Sequence, residues 1–353
     1  MGLDRFRRAG GRGGLRNVGG PRYGLPVASS SARARLAAVG GRAASPAQRP
    51  AADAVQVRCT APDALSNLVA VLELVADGQV RCSAATRRPS PATVRLVGDV
   101  LVAGDYYDGG EPIAAFAWPM LVQVGRLAIL DGTTLELSAR GRAVLAAPGY
   151  EALGATTARW RGCVSYDELS RIEAIKGQRR PGTLTPAAGR RAAVADGLAA
   201  LRPGAWTDVG TLLGILLEQD GLVVARSLMA LWRLYIADPY YGTLGRLGAT
   251  ARDILETRYA LCVLFEYAAT LGLIDVGYVD PRGARDDYRD LWGADQYPYL
   301  SRYDGLVAVR VNELGAAILH DQRPETALAR IGLPRPRRGD LGDPRAGGPL
   351  GRR

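Results

Sequence analysis

The chain has 353 residues, of which 48% are hydrophobic, 23% charged and 7% aromatic. That balance indicates a folded protein long enough for two or three domains, and it excludes collagen-like, mucin-like and wholly disordered chains. Lys176 is the only lysine beside 44 arginines, a bias that we interpret as the codon usage of a GC-rich bacterium. This lysine lies outside any phosphate-binding loop motif, which excludes Walker-type nucleotide hydrolysis.

The net charge of +10 is concentrated at the two ends of the chain. Residues 1–50 sum to +9 and residues 321–353 to +4, whereas residues 51–320 sum to −3. Both ends are rich in Gly, Ala, Pro and Arg with little to bury, so we predict a disordered basic leader over 1–55 and a disordered tail over 321–353. A transit peptide and a nucleic-acid-binding tail remain alternatives for the leader.

Several classes of site are disfavoured by residue counts. The longest uncharged apolar stretch, residues 112–125, contains two prolines and is too short to cross a bilayer. A metal site with two histidines is impossible, because His320 is the only histidine. It lies at a predicted helix end, where its charged form would complement the helix dipole. The cysteines show no C-x-x-C spacing; they are Cys59, Cys82, Cys163 and Cys262. We therefore expect a reduced, cytoplasmic protein with no catalytic residues, metal, cofactor, small-molecule substrate or membrane contact.

The first half of the chain shows three helices followed by a hairpin. Residues 62–76 repeat apolar side chains at helical spacing, and Ser90 with Pro91 marks the start of a second helix. A third apolar run, residues 113–124, ends at Gly125. Two short strands around Asp131-Gly132 follow and predict a hairpin. This order is typical of a winged helix-turn-helix module.

The second half repeats the same order. Residues 207–218, 224–237 and 251–270 predict helices, and residues 273–279 and 306–311 predict strands.

A short internal match supports the repeat. Residues 135–145 align with residues 309–319 at an offset of 174, placing Ser138 over Asn312 and Gly141 over Gly315. The capping residue would end a strand and the glycine would permit close packing. Because the match is short, chance similarity stays an alternative.

A family resemblance rests on the first of these corners. The hairpin is followed by Leu137, Ser138 and Gly141, then by an aliphatic pair and a helix that carries Trp160. This pattern resembles winged-helix proteins, especially the winged-helix repeats of bacterial repair-helicase-associated proteins. The resemblance covers residues 60–160 and, more weakly, 205–320. No helicase motor accompanies the repeats in this sequence, so it implies only an accessory role.

We therefore predict an α+β, mostly α chain of two winged-helix modules joined by a basic linker, with disordered Arg-rich tails. The boundaries are 1–55 for the leader, 56–162 for module 1, 163–204 for the helical and basic linker, 205–320 for module 2 and 321–353 for the tail. Within the linker, residues 166–178 predict a short helix with its own ion pairs, and residues 175–191 hold five cations and no acid.

An aromatic insertion separates the strands of module 2. Residues 278–305 hold six of the 23 aromatic residues, beside Arg and Asp, a composition that binding surfaces favour. We predict that it binds another protein through Tyr288, Trp292, Tyr297, Tyr299 and Tyr303. The alternative is a loop that folds its rings onto its own module. The carboxylates of Asp286, Asp287 and Asp290 could bind magnesium. The alternative interpretation is that they form a solvated network of ion pairs with neighbouring arginines.

The helices before the two hairpins lack the side chains of groove-reading helices. Residues 113–124 carry no charge and residues 251–270 sum to −1, so we expect both helices to be buried or to face protein. The triplet Gly242, Gly245 and Gly248 has the wrong spacing for a dinucleotide site and predicts a turn.

The first hypothesis is a non-enzymatic tandem winged-helix interaction module, an accessory component of a nucleic-acid-handling assembly. The second is a direct DNA-binding transcriptional regulator that uses the basic linker and the Arg-rich tails, and any DNA affinity is expected to be nonspecific. Its contacts would be Arg87, Arg88, Arg95, Lys176, Arg179, Arg180, Arg190 and Arg191. An enzyme is third.

Overall fold

The computed structural model describes residues 55–107, 111–218 and 221–321. Residues 1–54 and 322–353, where the composition predicts disorder, lie outside the described residues. The described chain is a mixed α+β structure with more helix than strand, as the sequence predicts. None of its helices combines the length and the apolar composition that crossing a bilayer requires.

The N-terminal half (residues 55–161) places a β-hairpin after three helices. Its elements are β1 (Gln56–Arg58), α1 (Ala61–Ala76), α2 (Pro91–Val100), α3 (Ala114–Val124), β2 (Ala128–Asp131), β3 (Thr134–Leu137), α4 (Ala139–Ala146) and α5 (Tyr150–Arg161). The predicted cap of α2 is present, because Ser90 Oγ accepts a hydrogen bond from the Thr93 N–H at 3.1 Å. A bridge from Arg81 to Thr134 adds a strand-like segment beside β3.

A connector (residues 162–186) leads to the C-terminal half (residues 187–321). The connector holds a 3₁₀ turn (Glu168–Arg171) and β4 (Ile175–Lys176). The C-terminal half comprises α6 (Ala187–Ala200), β5 (Trp206–Asp208), α7 (Val209–Leu217), α8 (Leu228–Leu231), β6 (Tyr235–Ile236), α9 (Ala249–Cys262), β7 (Ile274–Tyr278), β8 (Leu306–Val311) and α10 (Glu313–Leu319). Helix α9 runs on into a π-helical segment, Val263–Ala268, so the predicted helix over 251–270 is confirmed.

The largest sheet joins the two halves. Its four antiparallel strands have the order β1-β7-β8-β5, so the N-terminal strand β1 forms one edge of a sheet that otherwise belongs to the C-terminal half. Val57 lies opposite Gly277 in that edge pair. In the centre, Val276 of β7 lies opposite Val309 of β8, and both side chains are fully buried. One hydrophobic core cluster runs through both halves.

The internal sequence match corresponds to one corner that the chain uses twice. The side chains of Ser138 and Asn312 each accept a hydrogen bond from a backbone N–H three residues later, on Gly141 and Gly315, at 2.9 Å in both cases. Each capping residue ends a strand, β3 or β8, and starts a helix, α4 or α10. The predicted geometry of these two corners is therefore confirmed.

Each corner glycine packs against the loop that follows the preceding helix. A Cβ on the first glycine would overlap the carbonyl oxygen of Leu127, and a Cβ on the second would overlap that of Leu273. The residues before these leucines, Arg126 and Gly272, both adopt left-handed backbone conformations, with φ of 57° and 76°. The structural counterpart of Gly272 is thus Arg126, not Gly125.

Both helices that precede a hairpin are packing helices, as their charge predicts. Residues 114–122 of α3 are all buried, and so are the last nine residues of α9. Even the charged side chains of α9 at Glu256 and Arg258 are at most 3% exposed. The buried stretches of both helices therefore offer no polar face to the groove of a duplex, and of their described residues only those at the start of α9, such as Asp253, are exposed.

Two sequence predictions are wrong. The predicted helix over 224–237 is helical only at Leu228–Leu231, because the chain then forms β6, which pairs with β4 of the connector. Residues 166–178 do not form a helix with internal ion pairs, because Asp167 and Arg171 pair with distant residues. Periodicity in sequence did not reveal either long-range partner. The end of the predicted basic linker is helix α6, which contributes Val194 and Leu198 to the core.

The doubled corner can be tested at Gly315. Gly315→Ala should lower the free energy of unfolding by about 1–3 kcal/mol, because the added methyl group overlaps the Leu273 carbonyl. Gly214→Ala, in α7 with open space at its Cβ, is the matched control and should be neutral or stabilising by roughly 0.5–1 kcal/mol. Chemical denaturation measures both; equal midpoints for the two variants would contradict the packing described here.

Candidate interaction surface

A tight turn over residues 238–242 presents two tyrosines to solvent. Asp238 Oδ1 accepts hydrogen bonds from the backbone N–H groups of Tyr240 and Tyr241, at 2.8 and 2.7 Å. The Gly242 N–H donates to the Asp238 carbonyl at 3.0 Å, and a Cβ at this glycine would overlap the carbonyl of Ile236. Because Asp and Gly fix the backbone, the rings are held outward, 67% and 54% exposed.

The insertion contributes a third ring. Trp292, which is 57% exposed, lies with its ring centroid 5.4 Å from that of Tyr241. Tyr240 packs edge-on against Tyr241 at 5.0 Å. The guanidinium of Arg246 lies over both tyrosine rings, 5.4 and 5.9 Å from their centroids. These four side chains form a continuous exposed group.

Trp232 contributes a further ring beside the segment that carries Arg246. Its indole packs on Gly245, where a Cβ would overlap the ring. The indole is still half exposed, and Leu228 and Met229 one turn earlier are more exposed still. We call Trp232, Tyr240, Tyr241 and Trp292 the aromatic surface.

The glycine triplet builds this surface. Gly242 closes the tyrosine turn, Gly245 accommodates Trp232, and Gly248 takes a φ of 59° where α9 begins. The prediction that the triplet forms a turn is confirmed, with one 3₁₀ turn at Leu244–Leu247. Its role in presenting aromatic rings was not foreseen, although two consecutive tyrosines between Pro239 and Gly242 are a visible signal.

Cationic side chains lie on the segments next to the aromatic surface. The connector lies beside it, because β4 pairs with β6 and the Arg233 guanidinium donates to the Pro181 carbonyl at 3.1 Å. The exposed cations of this region, which we call the cationic rim, are Lys176, Arg179, Arg180, Arg233 and Arg246. Among the described residues none of the five forms an ion pair. Nearby acids in sequence are Asp238, whose carboxylate holds the turn, and Asp290 and Asp295, which flank Trp292.

The predicted partner-binding aromatics separate into two groups. Trp292 is exposed, and Tyr297 and Tyr299 are half-buried. Tyr288 and Tyr303 are fully buried, which corrects their placement on a binding surface. The Tyr288 hydroxyl donates to the Tyr297 carbonyl at 3.1 Å, and that of Tyr303 donates to Glu266. Most of the insertion therefore folds onto its own half, as the alternative prediction holds, and leaves one ring outside.

The predicted nucleic-acid contacts also divide. The connector cations Lys176, Arg179 and Arg180 are exposed and belong to the cationic rim. Arg190 and Arg191 are buried in ion pairs with Asp167 and Glu168, so they are removed from any nucleic-acid surface.

The three arginines predicted near the first turn lie on the N-terminal half. Arg87 and Arg95 are exposed. Arg88 is half-buried, and its guanidinium donates to the Ser170 Oγ of the connector at 2.7 Å. No contact joins these residues to the cationic rim among those the structure describes.

Buried ion pairs hold the connector between the halves. Arg171 Nε donates to both oxygens of Glu266, at 2.9 and 3.0 Å, and the pair is at most 7% exposed. Arg191 Nε contacts Glu168 Oε1 at 2.6 Å with both side chains fully buried. Burial raises the pKa of the Glu168 carboxyl, and the charge of Arg191 offsets part of that rise.

The remaining reactive groups occupy structural positions. His320 is exposed at the end of α10, where its backbone N–H donates to the Ala316 carbonyl at 3.2 Å. Asp287, a candidate magnesium ligand, instead pairs with Arg258. All four cysteines are free thiols. Over the described ranges, no group of three or more His, Cys, Asp or Glu side chains is placed to hold a metal ion.

The sequence matches no family model, no curated protein and no solved structure. The aromatic surface and its cationic rim are the features that need a functional explanation, because exposed contiguous rings mark interaction sites more often than inert surface.

Removing the charge of Glu266, which is buried against Arg171, should have a large effect on stability. Glu266→Gln removes the charge opposite Arg171 while keeping the side-chain shape, and it should destabilise the fold by about 3–5 kcal/mol because a buried guanidinium is left uncompensated. The surface pair of Arg282 with Asp280, 72% and 60% exposed, provides the control, and Arg282→Gln should leave the denaturation midpoint unchanged within error.

A double variant separates the charge from the loss of contacts. Arg171→Met combined with Glu266→Met removes both charges together and should recover part of the stability that Glu266→Gln loses. If Glu266→Gln and Arg282→Gln shift the midpoint equally, the buried pair does not join the connector to the core as described.

Proposed function

We propose that this protein is a non-enzymatic tandem winged-helix interaction module and an accessory component of a nucleic-acid-handling assembly. The element order of the halves supports this assignment, because both contain a helix, a short strand, a second helix, a buried helix, a hairpin and a capping corner in that order. The C-terminal half differs in carrying α8 and β6 before its buried helix. The doubled corner at Ser138 and Asn312 supports descent of the halves from one unit.

The observation that carries the proposal is the aromatic surface. Four large rings are each at least half exposed, whereas Trp118, Tyr259, Tyr267 and Phe265 are all buried in the core. A turn fixed by Asp238 and Gly242 presents two of the exposed rings, so little side-chain and backbone freedom is left to lose on binding. Rigid aromatic rings beside arginine are the composition of interface hot spots.

The alternative function is direct DNA binding by a transcriptional regulator. The exposed cations of the connector favour it. Lys176, Arg179 and Arg180 form no ion pair among the described residues, so they are available to contact phosphates. The burial of α3 and α9 weighs against it, since sequence-specific regulators of this class read the major groove with the helix before the hairpin. The interaction module is therefore the better supported function.

Photo-crosslinking tests whether the aromatic surface meets a partner. The photoreactive amino acid p-benzoylphenylalanine replaces Tyr241 in one variant and Trp206 in a control. Trp206 is an exposed ring on β5 that stacks with Arg310 and lies outside the aromatic surface. In cells that express the protein natively, irradiation should give adducts from position 241 and few from position 206. The absence of adducts at 241, or equal yields at both positions, would contradict a partner-binding surface.

A further inference from the structure

The aromatic surface has the geometry of a stacking platform. Its rings project from a fixed turn and from the insertion, with neighbouring centroids 5.0 and 5.4 Å apart. Trp292 and Tyr241 are tilted by 39° to one another, so a planar group can pack against each exposed face. An unpaired base is such a group, and base-on-aromatic stacking tolerates every base because each has a π-face.

The cationic rim supplies the second requirement of nucleic-acid binding. Five exposed cations lie on the segments that carry or flank the rings. None of the five forms an ion pair with another described residue. Arg246 lies over the two tyrosine rings, where a guanidinium can stack and contact a phosphate at once. Charge complementarity therefore favours a polyanion over a neutral peptide.

Single strands fit this surface better than a duplex. The helices that could enter a major groove, α3 and α9, are buried over most of their length. Bases in a duplex stack on one another and do not offer their faces to protein rings. Exposed rings combined with cations and no groove-reading helix therefore match a ligand whose bases are unpaired.

We propose that the aromatic surface is a binding site for single-stranded nucleic acid, in which bases stack on Trp292, Tyr241 and Tyr240 while the cationic rim contacts the phosphates. This proposal rests on the proposed function, since it names the partner chemistry of the same surface. The ligand is read by stacking and charge, so the site has little sequence preference.

Fluorescence anisotropy of the full chain with labelled oligo(dT) of about 20 nucleotides tests the proposal. The salt concentration is roughly 0.15 M, because salt weakens the electrostatic attraction between the Arg-rich ends of the chain and the oligonucleotide. The variant Tyr241→Ala/Trp292→Ala should raise the Kd by about tenfold or more. Tyr241→Phe/Trp292→Phe keeps the rings and should bind like the parent. Trp206→Ala is the matched control outside the surface and should also bind like the parent, and unchanged melting temperatures show that all variants fold.

Tryptophan emission gives a readout that flexible arginines do not produce. Stacking of a base on Trp292 should quench the fluorescence of the parent on addition of oligo(dT), and Trp292→Phe should lose most of that quenching. The proposal is overturned if the double alanine variant binds oligo(dT) as tightly as the parent, if a duplex depends on the rings to the same degree, or if a poly-glutamate peptide binds at the surface and oligo(dT) does not. Crosslinks from position 241 to protein alone would overturn this proposal and leave the interaction module intact.

Discussion

Two buried carboxylates, Glu168 and Glu266, organise the junction on which the rest of the structure depends. Glu168 lies in the connector, where it accepts from the Trp160 indole at 3.0 Å and the Tyr259 hydroxyl at 3.3 Å, and it pairs with Arg191. These three partners come from α5, α9 and α6, so one carboxylate contacts helices of both halves. A carboxylate this deep is stable only when its partners stay in place, because an unpaired buried charge is costly.

Glu266, in the π-helical segment, likewise binds the connector through an ion pair with Arg171. Its partner Arg171 reaches across to the N-terminal half, where the guanidinium donates to the Pro112 carbonyl at 2.9 Å and lies 3.5 Å from the ring centroid of Phe116. The connector is thereby fixed against both halves through charged groups and aromatic rings. The two halves consequently share one sheet and one hydrophobic core.

This junction extends to the aromatic surface. The fixed connector continues into β4, which pairs with β6, and β6 leads directly into the turn that presents Tyr240 and Tyr241. The insertion that carries Trp292 is anchored to α9, because Arg258 pairs with Asp287 and Asp304. The two segments that carry the exposed rings are therefore both anchored to elements that the buried charges join.

Local structure could be predicted from the sequence, whereas contacts between residues that are distant in the chain could not. The Ser90 cap, the hairpin at Asp131 and the paired corners were predictable, because each depends on residues a few positions apart. The burial of Arg190 and Arg191 was not, since a charge count cannot reveal that each guanidinium meets a carboxylate 23 positions away in the chain.

The aromatic insertion shows the same limit. Its composition indicated binding, but which rings enter the core depends on partners elsewhere, such as Glu266 for Tyr303. The exposed ring of Trp292 meets Tyr241, a residue 51 positions earlier whose turn drew attention only for its glycines. A site assembled from two distant loops leaves no spacing pattern in the sequence.

Buried charges that join both halves should make them one cooperative unit of unfolding. Native-state hydrogen exchange with increasing denaturant tests it most directly, by comparing backbone amides of α3 in the N-terminal half with those of α9 in the C-terminal half. We expect both helices to lose protection together, with the same opening free energy and the same dependence on denaturant. Loss of protection in α3 at lower denaturant, with α9 still protected, would show that the halves unfold independently and that the buried charges do not couple them.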